Sequence, residues 1–133
     1  MAHQRLILDT SGYSAFRRGL EVAVDCIQRA ERIFVPSIVL GELLFGFALG
    51  SRPAENRQEL NDFLSSSRVV VSPITLATAE RYAQIHTHLR AAGKPIPTND
   101  LWIAASTWEH GGVLLTSDGH FHQVPQIIVQ MIM

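Results

Sequence analysis

The sequence predicts an α/β fold, a mostly parallel five-stranded sheet flanked by helices on both faces. Three observations lead there. Short apolar runs alternate almost throughout with segments of helical length, the pattern that right-handed crossovers between parallel strands produce. The first run stops abruptly at polar residues, as a buried strand does when it delivers side chains at its carboxyl end. A chain of 133 residues with 47% hydrophobic content suits one core better than two. Residues 1–133 are therefore read as one domain.

Residues 6–8, Leu-Ile-Leu, form the first expected strand and end at Asp9, Thr10, Ser11 and Gly12. Residues 14–30 follow as a helical stretch that Gly19 can break. The second strand is 33–35. Pro36 and Ser37 can open a helix over 37–50, and the punctuation from Gly50 to Pro53 separates it from another over 53–64. After a short serine loop, 65–67, come a strand at 69–71 and a helix over 75–92. Gly93 to Pro97 breaks the chain before a helix over 99–110. The last two strands are 113–115 and 127–129.

The formal net charge of −1 supplies no global basic field, so any nucleic-acid contact must be local. Cys26 is the only cysteine, which excludes an intrachain disulfide. The opening Met-Ala-His-Gln-Arg leads into only three apolar residues, unlike a signal peptide, and no run approaches the roughly 20 apolar residues of a membrane span. A soluble, cytoplasmic protein without a membrane partner is expected.

Four carboxylates stand out. In open parallel sheets, ligands bind beyond the carboxyl ends of strands, near the point where the winding direction reverses. Asp9 ends the first strand, and Asp118 follows the fourth after Thr116 and Ser117. Each could instead begin a turn or cap a helix. Glu42 is the only ionisable residue between Pro36 and Leu49. If buried, it needs a counter-charge such as a divalent cation; the alternative is an exposed stripe or an arginine partner. Asp100 precedes Leu-Trp-Ile-Ala-Ala, a helical run whose first-turn amides favour negative charge. If that helix leads back to the fourth strand, it starts at the same rim as Asp9, and the small Ala104 permits close packing.

Carboxylate oxygens suit hard cations such as Mg2+ or Mn2+. One or two ions held there could activate water for in-line attack on a phosphodiester. Thr10, Thr116 and Ser117 are near enough in sequence to orient such a site, and ordinary turn hydrogen bonding explains them equally.

Leu-Ile-Leu-Asp9-Thr-Ser, Pro-Ser-Ile-Val-Leu-Gly-Glu42-Leu-Leu-Phe-Gly, Pro-Thr-Asn-Asp100-Leu-Trp-Ile-Ala-Ala and Val-Leu-Leu-Thr116-Ser-Asp118-Gly-His-Phe occur in this order. Together they resemble the PIN-domain family, in particular its VapC-type toxins, over nearly the whole chain. The resemblance implies a metal-dependent endoribonuclease of a toxin–antitoxin pair, with Asp9, Glu42, Asp100 and Asp118 in the acidic site. It also implies a homodimer inhibited by a small cognate VapB-like antitoxin. Asp118 carries over less firmly, since residue and spacing vary at this position of the family and Asn is common there.

Other residues have competing readings. Arg17 and Arg18 could meet RNA phosphate or form a solvated helix face. His86 and His88, two apart on a helix, point in different directions and read as surface or interface residues. His120 and His122 could touch substrate or pair with Asp118, and the loop surface is the favoured reading. Trp102 and Trp108 could stack on bases, but their helical context favours packing. Leu43, Leu44, Phe45, Phe47 and Leu49 extend around their helix, so part of this surface is expected to meet another chain. Two other functions remain open on the residues alone. A non-catalytic binding module could keep the fold and the metal. A phosphoacceptor receiver domain would need an aspartate after the third strand, where Ser72 and Pro73 stand instead.

Overall fold

The computed structural model describes residues 5–132. Its elements are β1 (Arg5–Leu8), α1 (Thr10–Arg17), α2 (Glu21–Arg29), β2 (Arg32–Pro36), α3 (Ser37–Leu49) and α4 (Pro53–Leu64), followed by β3 (Val69–Ser72), α5 (Leu76–Ala91), α6 (Thr98–His110), β4 (Val113–Thr116), a 3-10 turn (Gly119–Gln123) and β5 (Ile128–Met131). The strand order is β3-β2-β1-β4-β5, and every pairing is parallel. The expected sheet was mostly parallel; the described one is wholly so.

The winding direction reverses between β1 and β4. The chain builds outward from β1 through β2 to β3, then crosses back by α5 and α6 to lay β4 on the other side of β1. This order opens a crevice beyond the carboxyl ends of the two central strands. Leu6, Ile7, Leu8, Leu114 and Leu115 are completely buried there, as expected of strands covered on both faces.

One helix start differs from the sequence reading in a way that matters for function. The first helix begins at Thr10, not at residue 14, because the Asp9 side chain caps it by accepting from Gly12 N at 2.7 Å. A second helix then starts at Glu21, after Gly19 takes a positive φ of 74°. The sixth helix begins at Thr98 behind Pro97, one residue before the expected start, and Asp100 lies in its first turn as expected. It ends at Gly111, in the left-handed conformation that closes helices.

Gly12 joins α1 to the end of β4. A Cβ there would stand 2.5 Å from the Leu115 carbonyl oxygen. Gly12→Ala is expected to destabilise the fold by about 1–3 kcal/mol, since backbone must move to relieve the overlap. Gly46→Ala is the control, because a Cβ there meets nothing within 4 Å. Urea midpoints compare the two, and equal midpoints would refute the close-approach role of Gly12.

On α3, Val39 and Leu43 face the core, whereas Phe45 and Leu49 are 67% and 73% exposed. The all-round apolar character read from the sequence is thus borne on the surface. Trp102 stacks on Tyr82 at 4.0 Å, and Arg81 lies over Trp108, so both tryptophans are engaged in packing between α5 and α6. His86 and His88 are exposed on α5. Cys26 is a free thiol, half-buried on α2. Among the described residues, no helix is long and apolar enough to cross a membrane.

Candidate active site

An open cleft of about 400 Å³ lies beyond β1 and β4, lined by Asp9, Glu42, Asp100 and Asp118 together with Thr10, Ser11 and Ser117. Four elements deliver the four acids: the end of β1, the second turn of α3, the first turn of α6, and the loop after β4. The residues singled out as acidic candidates therefore converge, as do Thr10 and Ser117.

Asp9 is the most buried of them, with 5% exposure. Its Oδ1 accepts from Ser11 Oγ at 2.7 Å and from Gly12 N, and its Oδ2 accepts from Thr116 Oγ1. Burial pushes its carboxyl above the usual range, and the three hydrogen bonds, Thr116 first, act against that rise. Asp9 thus both caps a helix and lines the cleft, so its two readings are compatible. Thr116 is fully buried and does two jobs, since its Oγ1 also accepts from Asp118 N at 2.9 Å. Ser11 Oγ accepts from Ser117 N at 2.9 Å, which ties the loop after β4 to the start of α1.

Glu42 requires a correction. Its run of apolar neighbours suggested a buried charge in need of a cation, but the side chain is only half-buried. The rim of the cleft, not the core, surrounds it. Thr10 Oγ1 donates to its Oε1 at 2.8 Å and Asn99 Nδ2 to its Oε2 at 3.2 Å. These two neutral donors aim the carboxylate without cancelling its charge.

Asp100 and Asp118 meet across the cleft with His120 between them. The Nδ1 of His120 lies 3.0 Å from Asp118 Oδ1 and 3.3 Å from Asp100 Oδ2. The His120 backbone N–H also donates to Asp118 Oδ1 at 2.8 Å, a two-residue Asx turn that folds the chain back toward the acids. Burial, with the Asp118 charge beside it, pushes the Asp100 carboxyl up to about 6. For His120 the alternative reading, pairing with Asp118, holds alongside the favoured loop-surface one: the ring is half exposed, yet it touches both acids. His122 is exposed beyond it.

The raised Asp100 has a consequence for stability. Such an acid favours the folded state only while protonated. Its contribution is complete below its ordinary value of 3.8 and is lost as pH rises through about 6. In metal-free protein, the melting temperature of Asp100→Asn minus that of wild type is expected to grow between pH 4 and pH 7.5. A difference that stays constant over this interval would contradict the charge crowding.

Arg17 and Arg18 do not line this cleft. They stand at the other end of α1, about 12 Å along an eight-residue helix from Asp9. Arg17 is ion-paired with Glu59, and both arginines line a separate cleft with Tyr13, Phe47 and Arg52. Sequence reasoning passed over Ser11 and Asn99. An Asp-Thr-Ser-Gly segment read as a helix cap would have found the first, and adjacency to Asp100 at a helix start the second.

Oxygen donors dominate the cleft, and the crowding of Asp100 against Asp118 is the electrostatic arrangement that a divalent cation relieves. The residues present fit a hard cation. Comparison with known proteins places the fold in a family. The family model described as PIN domain matches residues 6–127. The chain belongs to the PIN-domain family. Ribonuclease VapC4 of Mycobacterium tuberculosis is 34% identical to it over 95 residues, 71% of this chain and 73% of that one. Ribonuclease VapC2 of Haemophilus influenzae is 31% identical over 116 residues, 86% of each chain. Among solved structures, a chain of FitAcB from Neisseria gonorrhoeae is 27% identical with a TM-score of 0.73, covering 93% of this chain and 95% of its own. A chain of VapBC2 from Rickettsia felis, bound to a promoter DNA fragment, has a TM-score of 0.82 at 24% identity, with 96% of this chain and 98% of that chain covered. The latter likeness concerns the fold. A PIN domain with this strand order leaves the receiver reading without an acceptor: β3 is an edge strand and continues into Pro73.

Proposed function

We propose that this PIN domain is a metal-dependent endoribonuclease, the toxin of a VapBC-type pair, with Asp9, Glu42, Asp100 and Asp118 as its catalytic acids and Mg2+ or Mn2+ as its cofactor. The observation that carries the reading is the convergence of these four carboxylates in one open cleft. The ribonuclease names of relatives at 31% and 34% identity support the reaction class. On this reading residues 1–133 are one nuclease domain that acts on RNA in the cytoplasm.

When bound, a divalent cation supplies a Lewis acid for phosphate and lowers the pKa of water at the scissile bond. The chain's own residues supply the positioning. Ser11, Gly12 and Thr116 lock Asp9 in one rotamer, while Thr10 and Asn99 hold Glu42 at the rim. Asp100 is fixed by the first turn of α6 and faces Asp118. Such preorganisation lets the acids receive a cation and a phosphodiester without rearranging.

The exposed Phe45 and Leu49 on α3 supply an apolar surface for protein partners. A second copy of the chain and a VapB-like antitoxin are the partners proposed. The antitoxin assignment also draws on VapBC-5 of Mycobacterium tuberculosis, a member of the VapBC family of toxin–antitoxin systems with a chain 25% identical to this one.

The test is incubation of purified protein with a broad set of cellular RNAs in Mn2+ or Mg2+, with and without chelator. Internal cleavage products that vanish with chelator are expected. RNA binding without product in either metal would overturn catalysis and leave a binding module.

A further inference from the structure

We propose that His120 is a direct ligand of the cation in this site, through Nδ1, and that it biases the site toward Mn2+ or Co2+ over Mg2+. The inference rests on the proposed metal site and adds a nitrogen donor to its four carboxylates.

Three side chains bring their ligand atoms to one place: Asp100, Asp118 and His120 each offer one, all within 4.8 Å of one another. The Nδ1 of His120 is 3.0 Å and 3.3 Å from the two carboxylate oxygens. Neighbouring ligand atoms on an octahedral ion with bonds of about 2.1 Å stand about 3.0 Å apart. The spacing around Nδ1 thus matches the edges of a coordination shell.

The other acids are more committed. Asp9 accepts three hydrogen bonds, and Glu42 takes a donor on each oxygen. Among the described residues, the one ion pair of the Asp100 carboxylate is with His120. Lone pairs therefore remain available on the Asp100 side of the cleft.

The histidine is also held in position. Phe121 and Val124, both buried, anchor the 3-10 turn from below, while the His120 N–H is bound to Asp118. This fixes the backbone from which the ring projects, so little freedom is lost when the ring takes up a ligand. Imidazole is a poor match for Mg2+ and a good one for transition metals, whose affinity for such donors rises from Mn2+ to Co2+.

The experiment titrates Mg2+, Mn2+ and Co2+ by calorimetry into wild type, His120→Ala, His120→Gln and Asp100→Asn, with circular dichroism to verify folding. Pulsed electron paramagnetic resonance of the Mn2+ complexes then looks for a coordinated imidazole nitrogen. Expected results are a loss of about 10–100-fold in Mn2+ and Co2+ affinity for both His120 variants, a change under about threefold for Mg2+, and a nitrogen coupling that disappears with the ring. Unchanged affinities together with no nitrogen coupling in wild type would overturn the ligand role. If Asp100→Asn still abolishes binding in that case, the carboxylate site stands without His120. Absence of cation binding by wild type would overturn both.

Discussion

Asp100→Asn is expected to lower RNA cleavage by at least about 100-fold while leaving the metal-free fold no less stable than wild type at pH 7.5. The bound on activity follows because residues that only support a metal ligand already cost 10–100-fold when removed. The effect on stability has the opposite sign. Asp100 is raised to about 6 by burial and by Asp118, so its ionised form is a liability in the metal-free fold. Asparagine has the same shape, carries no charge and can donate to Asp118. A third readout joins the two: Mn2+ should raise the melting temperature of wild type, through preferential binding to the folded state, and should do little for the variant. Cleavage within threefold of wild type, or a metal-induced shift of equal size in both, would remove Asp100 from the site.

Thr116→Val should damage the same site from outside the cleft. The threonine is fully buried, donates to Asp9 Oδ2 and accepts from Asp118 N. Valine keeps the volume and removes both bonds, which leaves a buried carboxylate oxygen and a backbone N–H short of partners. A loss of about 1–3 kcal/mol of stability is expected, with a fall of about 10–100-fold in metal affinity. Thr116→Ser restores the hydroxyl and should recover most of the affinity, although it leaves a small void. Valine with wild-type affinity, or serine no better than valine, would show that the hydroxyl does not position the acids.

The strands were legible because burial on both faces leaves an uninterrupted apolar run, and few other structures produce five such runs between helical segments. β1 follows this rule closely, ending at Leu8 where the apolar run ends. β5 does not: residues 127–129 were expected, whereas the strand is Ile128–Met131. Edge strands are half covered, so their apolar pattern marks the ends poorly. The start of α1 was missed for another reason. Asp9 was read as the end of a strand, with a helix cap only as the alternative, and a residue that ends a strand can cap the next helix without an intervening loop.

Glu42 lines the cleft although the premise that singled it out fails. Apolar neighbours in sequence were equated with burial, yet Phe45 and Leu49 are on the surface of the same helix. What places Glu42 in the cleft is its position in the first two turns of α3, beside Thr10 and Asn99. His120 shows the converse. A histidine two residues after an aspartate carries no distinctive spacing until an Asx turn and a buried Phe121 fix where its ring points.

By itself the sequence determined the layered fold, the delivery of Asp9 and Asp118 beyond two strand ends, and the choice of hard oxygen donors, because periodicity and residue chemistry are local properties of the chain. Only the tertiary structure decided which groups share the cleft. It brought Ser11 into the lining, set Asn99 and His120 against the acids, and left Arg17 and Arg18 a helix length away. Those outcomes depend on the strand order around β1 and on where each helix begins, and a displacement of one helical residue rotates a side chain by about 100°.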